Sequence, residues 1–375
     1  MYRQVVTHNR RAAIVFLVDC SLSMMQQTRV CTLTCSKMEM AEIICNLMID
    51  ELVIRAERHG SVRNYYDIAA LGYSNDSVVS LLPGNTDGFM PVDRLIEMMP
   101  MPKTILNHTV IEGKEIEIPI TYHTWITPKA GGTSPMLEAL AHTYMIVDRW
   151  CHNLDNRDSF PPIVFHITDG AGNDSNSAAL IDMAERLMST HTNDGNTLLF
   201  NIHLSSDTDG KEVIFPNNRR FTTTNRDIML LFKMSSVISK SLESSVAYLL
   251  NLNRRGPYRG IMSNTSPCEL ISLLNTGSES ANSIKHIIII IEMGNSRPFH
   301  SDPVIHNHIG SKVFLVQAAV FGAEGIGGKG LALGDHAADV QLELSEHGLA
   351  VQGALELLQE VVDEVCPLLL VGGLT

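Results

Sequence analysis

Asp19, Ser21 and Ser23 alternate in Asp19-Cys20-Ser21-Leu22-Ser23, directly after the apolar run 12–18. One carboxylate and two hydroxyls at this spacing make half of an oxygen-only shell for a hard cation. Mg²⁺ suits such a shell, because it favours oxygen ligands in an octahedron and keeps several waters. The same string also suits a turn or a helix N-cap, so the metal reading depends on further oxygen donors. Two distant segments supply them. Gly131-Gly132-Thr133-Ser134-Pro135 places a hydroxyl on a glycine-rich turn ahead of the helix-like run 136–147. Residues 161–170 form a second apolar stretch that closes on Thr168-Asp169-Gly170.

The elements that must position these side chains can be read from periodicity. Residues 12–18 and 163–167 are apolar on both faces, the pattern of central strands in a parallel sheet covered by helices. Ligands of such sheets gather beyond the carboxyl ends of the strands. Two such strands side by side would bring Asp19 and Asp169 to one edge, with Thr133 reaching over from its loop. Residues 38–58 read as a helix, since Met38, Ala41, Cys45, Met48 and Leu52 recur at spacings of three and four. Strands 67–73 and 77–82 form a hairpin that would give the sheet one antiparallel edge, and 109–121 read as a second hairpin. Helix 134–150, helix 176–190, strand 197–203, helix 226–239, strand 258–262 and helix 267–274 follow. This alternation predicts an α/β fold: a doubly wound, mostly parallel sheet with helices on both faces.

D-x-S-x-S, then T, then T-D-G, in this order, resembles the metal-ion-dependent adhesion site (MIDAS) of von Willebrand factor type A (VWA) domains. Residues 159–169, 194–201, Phe215-Pro216 and 231–236 look like a group of bacterial intracellular type A proteins. That group is linked to tellurite-resistance and stress gene clusters, and some members are encoded beside serine/threonine kinases and metal-dependent phosphatases. The resemblance spans residues 11–277. It implies that Ser21, Ser23 and Thr133 face the metal, that Asp19 and Asp169 bind directly or through waters, and that a partner's carboxylate completes the shell. The implied ion is Mg²⁺, with Mn²⁺ or Ca²⁺ as alternatives. Two departures stand out: Leu22 replaces the glycine usual between the serines, and Ser134 separates Thr133 from Pro135.

Composition narrows the function classes. The 375 residues are 45% hydrophobic and 18% charged, which indicates a globular core. Twenty-eight Lys and Arg against 41 Asp and Glu give a formal charge of −13, which argues against nucleic acid and anionic membranes as partners. The seven cysteines form no CxxC pair, which removes zinc-ribbon and thioredoxin readings, and scattered thiols fit a reducing, cytoplasmic setting. The apolar run after Arg10-Arg11 is too short for a signal peptide and ends in Asp19.

From residue 278 the chain changes character. Residues 276–283 read as a polar linker, and 278–375 as a small C-terminal α/β appendage of no recognised family, with strands 286–291 and 312–320 and a helix 348–365. Gly325-Ile326-Gly327-Gly328-Lys329-Gly330 fits G-x-G-x-x-G, but no capped helix follows, so phosphate binding is disfavoured. His300, His306 and His308 read as solvated loop histidines, and Asp207-Thr208-Asp209-Gly210 as a turn rather than a calcium loop.

Two function classes follow. The first is a non-enzymatic interaction module in which Mg²⁺ at Asp19, Ser21, Ser23, Thr133 and Asp169 captures an Asp or Glu of a partner protein, for which a Ser/Thr kinase or a metal-dependent phosphatase is the candidate. The second is a phosphoesterase using the same ion to activate water. A hydrolase needs a general base beside the metal, and neither His123, His142 nor His166 is obviously placed for that, so the first class is preferred.

Overall fold

The computed structural model describes residues 2, 4–30, 33–58, 60–75, 77–84, 88–111, 114–170, 176–206, 212–249 and 256–264. The expected helix 267–274, the linker, the appendage at 278–375, its glycine-rich and histidine segments, and the Asp207–Gly210 turn lie outside these residues.

The polypeptide alternates as its periodicity requires: β1 (Ala12–Asp19), α1 (Lys37–Ala56), β2 (Tyr66–Ser74), β3 (Ser77–Ser80), a hairpin of β4 (Pro102–Ile111) and β5 (Lys114–His123), α2 (Met136–His152), β6 (Ile163–Thr168), α3 (Ser177–Ser189), β7 (Leu198–His203), β8 (Val213–Ile214), α4 (Arg226–Met234) and β9 (Ile261–Ser263). The main sheet runs β8-β9-β7-β6-β1-β2-β3, with the short strand Met90–Pro91 also paired to β2. From β9 to β2 the pairings are parallel. The result is an α/β fold with a mixed, mostly parallel sheet flanked by helices.

β1 is buried along its whole length. Ala12, Ile14, Phe16 and Val18 pack into the core beneath α1, while Ala13, Val15 and Leu17 pack into the core beneath α2, α3 and α4. Alternation over a two-residue period delivers successive side chains to opposite faces, so only a strand apolar at every position can occupy the centre. α1 starts with a capping box, in which Ser36 Oγ accepts from the Glu39 N–H and the Glu39 carboxylate accepts from the Ser36 N–H. On the helix surface Asn46 bonds both backbone groups of Ile126, and Asp50 accepts from the Trp125 and His123 side chains, which tie the end of the β4–β5 hairpin to α1.

Three expectations need correction. The sheet has an antiparallel strand at both edges, since β3 pairs antiparallel with β2 and β8 antiparallel with β9. A two-residue strand carries no readable period, and Phe215, at φ +40°, turns the chain directly after it. The helix expected over 226–239 stops at Met234, because the next residues serve the sheet: the Ser236 N–H donates to Leu199 O and Ser236 Oγ accepts from the Leu199 N–H. The last strand covers Ile261–Ser263, preceded by single bridges at Tyr258 and Arg259. Among the described residues no helix is long and apolar enough to cross a membrane.

Candidate metal centre

The register of the sheet assembles the site. Val18 pairs with Ile167 on one side and Asp19 with Tyr73 on the other, so Asp19 and Asp169 leave adjacent parallel strands at the same edge. After Asp19 the chain makes one 3₁₀ turn, Leu22–Met25, anchored by the fully buried Met24. Side chains at i and i+3 eclipse in such a turn, so Leu22 and Met25 share its outer side, where they are 63% and 56% exposed.

Asp19 is fully buried. Its Oδ1 accepts from the Ser21 N–H at 2.9 Å, and its Oδ2 accepts from Thr168 Oγ1 at 2.8 Å and Ser134 Oγ at 3.0 Å. A buried carboxylate without such donors would be costly; with them it is locked in one orientation. Outward from it runs a row of three oxygens. Ser21 Oγ lies 3.0 Å from Ser23 Oγ, which in turn donates to Asp169 Oδ1 at 3.0 Å. The second oxygen of Asp169 accepts from the Lys37 ammonium at 2.8 Å. Asp19 and Ser21 are buried, Asp169 is half-buried and Ser23 is exposed, so the row opens to solvent at its middle member.

Thr133 sits differently. Its loop is stitched to the Asp19 loop by Gly131 N–H to Cys20 O at 2.8 Å and Leu22 N–H to Gly132 O at 3.0 Å, and to the β2–β3 turn by Asn75 N–H to Thr133 O at 3.0 Å. Gly132 has φ +67° and a Cβ there would lie 1.7 Å from Asn75 Oδ1, so glycine is required at this crossing. The Thr133 hydroxyl is exposed and directed at Asn75 O, 3.4 Å away, with no hydrogen bond to the other four residues. The structure therefore joins Asp19, Ser21, Ser23 and Asp169 in one network and holds Thr133 beside it by backbone alone.

Three contributors escape the sequence reading. Ser134, the residue that interrupts Thr133 and Pro135, is a buried donor to Asp19, as is Thr168 from the T-D-G triplet. Lys37 is the third, and nothing in its helix-start position signals a buried cation.

Behind Asp19 lies a buried polar chain. Tyr73 Oη is 2.8 Å from His166 Nε2, His166 Nδ1 is 2.7 Å from Asn201 Oδ1, and Asn201 Nδ2 donates to Ser235 Oγ at 2.8 Å. Asn201 must accept through its oxygen because its amide nitrogen donates to Ser235 and Leu231 O. Hence His166 carries its proton on Nδ1, and Nε2 accepts from Tyr73. Burial pushes the imidazole below its ordinary pKa and the Tyr73 phenol well above its own. His203, also depressed by burial, is 2.9 Å from Ser263 Oγ through Nδ1. His123 faces Asp50 on α1 instead of this edge. The thiol of Cys20 is buried and pushed up to about 12, first by burial and then by the Asp19 charge, so it is no nucleophile at neutral pH.

The donor set fits a small hard cation. Cis oxygens around Mg²⁺ at 2.0–2.1 Å are about 2.9 Å apart, close to the 3.0 Å separations of Ser21 from Ser23 and of Ser23 from Asp169. Among the described residues no group of three or more His, Cys, Asp and Glu side chains is gathered to hold a metal, so any ion here relies on hydroxyls beside two carboxylates.

No protein-family profile matches this chain, and no curated protein matches it. Among solved structures the chain is similar to the manganese-loaded TRAP protein of Plasmodium vivax, at 14% sequence identity and a TM-score of 0.26. The match covers 52% of this chain and 58% of that one, so the chain spans little more than half the length of that structure.

Proposed function

We propose that residues 11–277 are a VWA-type interaction module with a MIDAS, which grips an acidic residue of a partner protein through Mg²⁺ and catalyses no reaction. The observation that carries this reading is the row of Ser21, Ser23 and Asp169 oxygens, each 3.0 Å from the next, which opens to solvent at Ser23 beyond the ends of parallel strands. Ser21, Ser23 and Asp169 would hold the ion, Thr133 would join after its hydroxyl turns from Asn75, and Asp19 would act from below through its fixed orientation. The ion would supply an open coordination position for a partner's Asp or Glu.

What this chain's own residues do is separable from the ion. Asp19 pins the Ser21 backbone, Ser134 and Thr168 pin Asp19, and Gly131 and Gly132 tie the Thr133 loop to the Asp19 loop. Such preorganisation lowers the ordering cost of binding. The exposed pair Leu22 and Met25 adds an apolar rim next to a polar centre, an arrangement that favours a protein partner over a free small anion. His166 favours binding over hydrolysis, since both ring nitrogens are engaged in the buried chain and neither is available as a base. A bacterial, cytoplasmic role in a stress response, with a Ser/Thr kinase or metal-dependent phosphatase as partner, is the setting proposed from the motif resemblance.

Affinity capture from native cell extract, in Mg²⁺ or EDTA, tests this with wild type, Asp169→Ala and Thr133→Ala. Partners retained only by wild type with Mg²⁺ are expected. Recovery of the same proteins in every arm refutes metal-dependent binding, and phosphomonoester turnover lost in both variants would establish the hydrolase instead.

A further inference from the structure

We propose that Lys37 is the specificity-determining residue of this cation site, removing one carboxylate oxygen from the ligand set and adding a fixed positive charge. The proposal rests on the cation reading above and deepens it.

Lys37 breaks two ordinary rules at once. It is the first residue of α1, where the positive end of the helix dipole disfavours a cation. It is also only 3% exposed, although lysine normally keeps its ammonium in water. Local rules broken together point to a site. The ammonium lies 2.8 Å from Asp169 Oδ2 and 2.9 Å from Gln26 Oε1, and the Lys37 N–H donates to Gln26 O at 2.9 Å, so side chain and backbone are both held. Ser206 Oγ donates to the same Gln26 Oε1 at 3.0 Å and fixes that acceptor.

The consequence is a count of free oxygens. Asp19 Oδ2 accepts two protein hydrogen bonds and Asp19 Oδ1 one, Asp169 Oδ2 accepts from the Lys37 ammonium, and Asp169 Oδ1 is the carboxylate oxygen that meets the hydroxyl row. An ion that took both oxygens of Asp169 would lie against the Lys37 ammonium, and like charge disfavours bidentate ligation there. Ca²⁺ takes six to eight oxygens and commonly uses bidentate carboxylates, whereas Mg²⁺ takes an octahedron of single contacts and waters. Lys37 also offsets one of the two carboxylate charges, which weakens the hold on every divalent ion. Lys37 thus sets both denticity and charge, trading affinity for preference toward small ions.

Titration calorimetry on the EDTA-stripped full chain, with MgCl₂, MnCl₂ and CaCl₂ in turn, tests this in wild type, Lys37→Met and Lys37→Gln. Melting curves first establish that each variant folds, and Gln keeps a neutral donor toward Asp169 where Met removes it. Wild type should bind Mg²⁺ and Mn²⁺ at least about tenfold more tightly than Ca²⁺. Lys37→Met should bind all three more tightly, with the gain for Ca²⁺ largest and the preference reduced about tenfold; Lys37→Gln should fall between. An unchanged preference in both folded variants, or weaker binding of all three ions, overturns the proposal and leaves Lys37 as a scaffold residue. Wild type binding none of the ions overturns the cation reading itself.

Discussion

Replacing Ser23 by alanine separates a metal ligand from a structural hydroxyl. Ser23 is exposed, and its Oγ meets only Ser21 Oγ and Asp169 Oδ1, both at 3.0 Å, near the surface. Loss of an exposed hydroxyl away from the core should change metal-free stability by no more than about 0.5 kcal/mol. The metal-bound state should respond far more. With Mg²⁺ about 100-fold above its dissociation constant, binding stabilises the fold by about 2.7 kcal/mol. Changes even to outer-shell partners weaken metal sites about 10–100-fold. At about 100-fold the variant would retain only about 0.4 kcal/mol of that gain. The difference, about 2.3 kcal/mol, corresponds to a Tm gap of about 5–9 °C for a domain of this size. Paired thermal melts with and without Mg²⁺, read by circular dichroism, measure it directly. Coincident metal-free curves and separated Mg²⁺ curves are expected. Equal Mg²⁺ shifts in the two proteins refute ligation by Ser23, and a large metal-free loss would make the hydroxyl structural.

Asn201→Leu should destabilise the protein by about 2–4 kcal/mol in urea titration, because it leaves the buried His166 N–H without its acceptor and removes the bond to Ser235; a loss below 0.5 kcal/mol would show that the chain tolerates its interruption. The imidazole of His166 is depressed by burial, so the unfolded chain binds its proton more readily than the folded one. Stability should therefore be full above the unfolded pKa of about 6.5 and fall as pH drops below it, by at most about 1.4 kcal/mol per pH unit for this group. In His166→Gln that part of the slope should vanish, and an identical pH profile in both proteins would assign the slope elsewhere. Leu22→Ser should reduce retention of the captured partner several-fold while leaving Mg²⁺ affinity within about twofold by calorimetry; equal retention would remove the 63% exposed leucine from the interface.

Much of this architecture was legible in the residues. Unbroken apolar runs in β1 and β6 demanded a sheet covered on both faces, and their ends placed Asp19 and Asp169 together, as the parallel register confirms. The three- and four-residue spacing of α1 was equally clear, although the helix is buried on most of its sides, as was the β2–β3 hairpin. The short strand β8 and the early end of α4 were not, because the first carries no period and the second is decided by what Leu199 of a distant strand requires of Ser236.

The sequence by itself determined which oxygens arrive at the edge of the sheet, since strand periodicity is local and a strand's end directs the side chain that follows it. Only the tertiary structure decided what those oxygens face. Ser134 reaches Asp19 across 115 positions and Lys37 reaches Asp169 across 132, while the Thr133 hydroxyl is drawn to Asn75 across 58. Loop side chains take their direction from neighbours that packing brings near, and no short-range pattern carries that information. Asp19-Cys20-Ser21-Leu22-Ser23 places the oxygens, and the buried ammonium at Lys37, visible only in the fold, holds the second oxygen of Asp169.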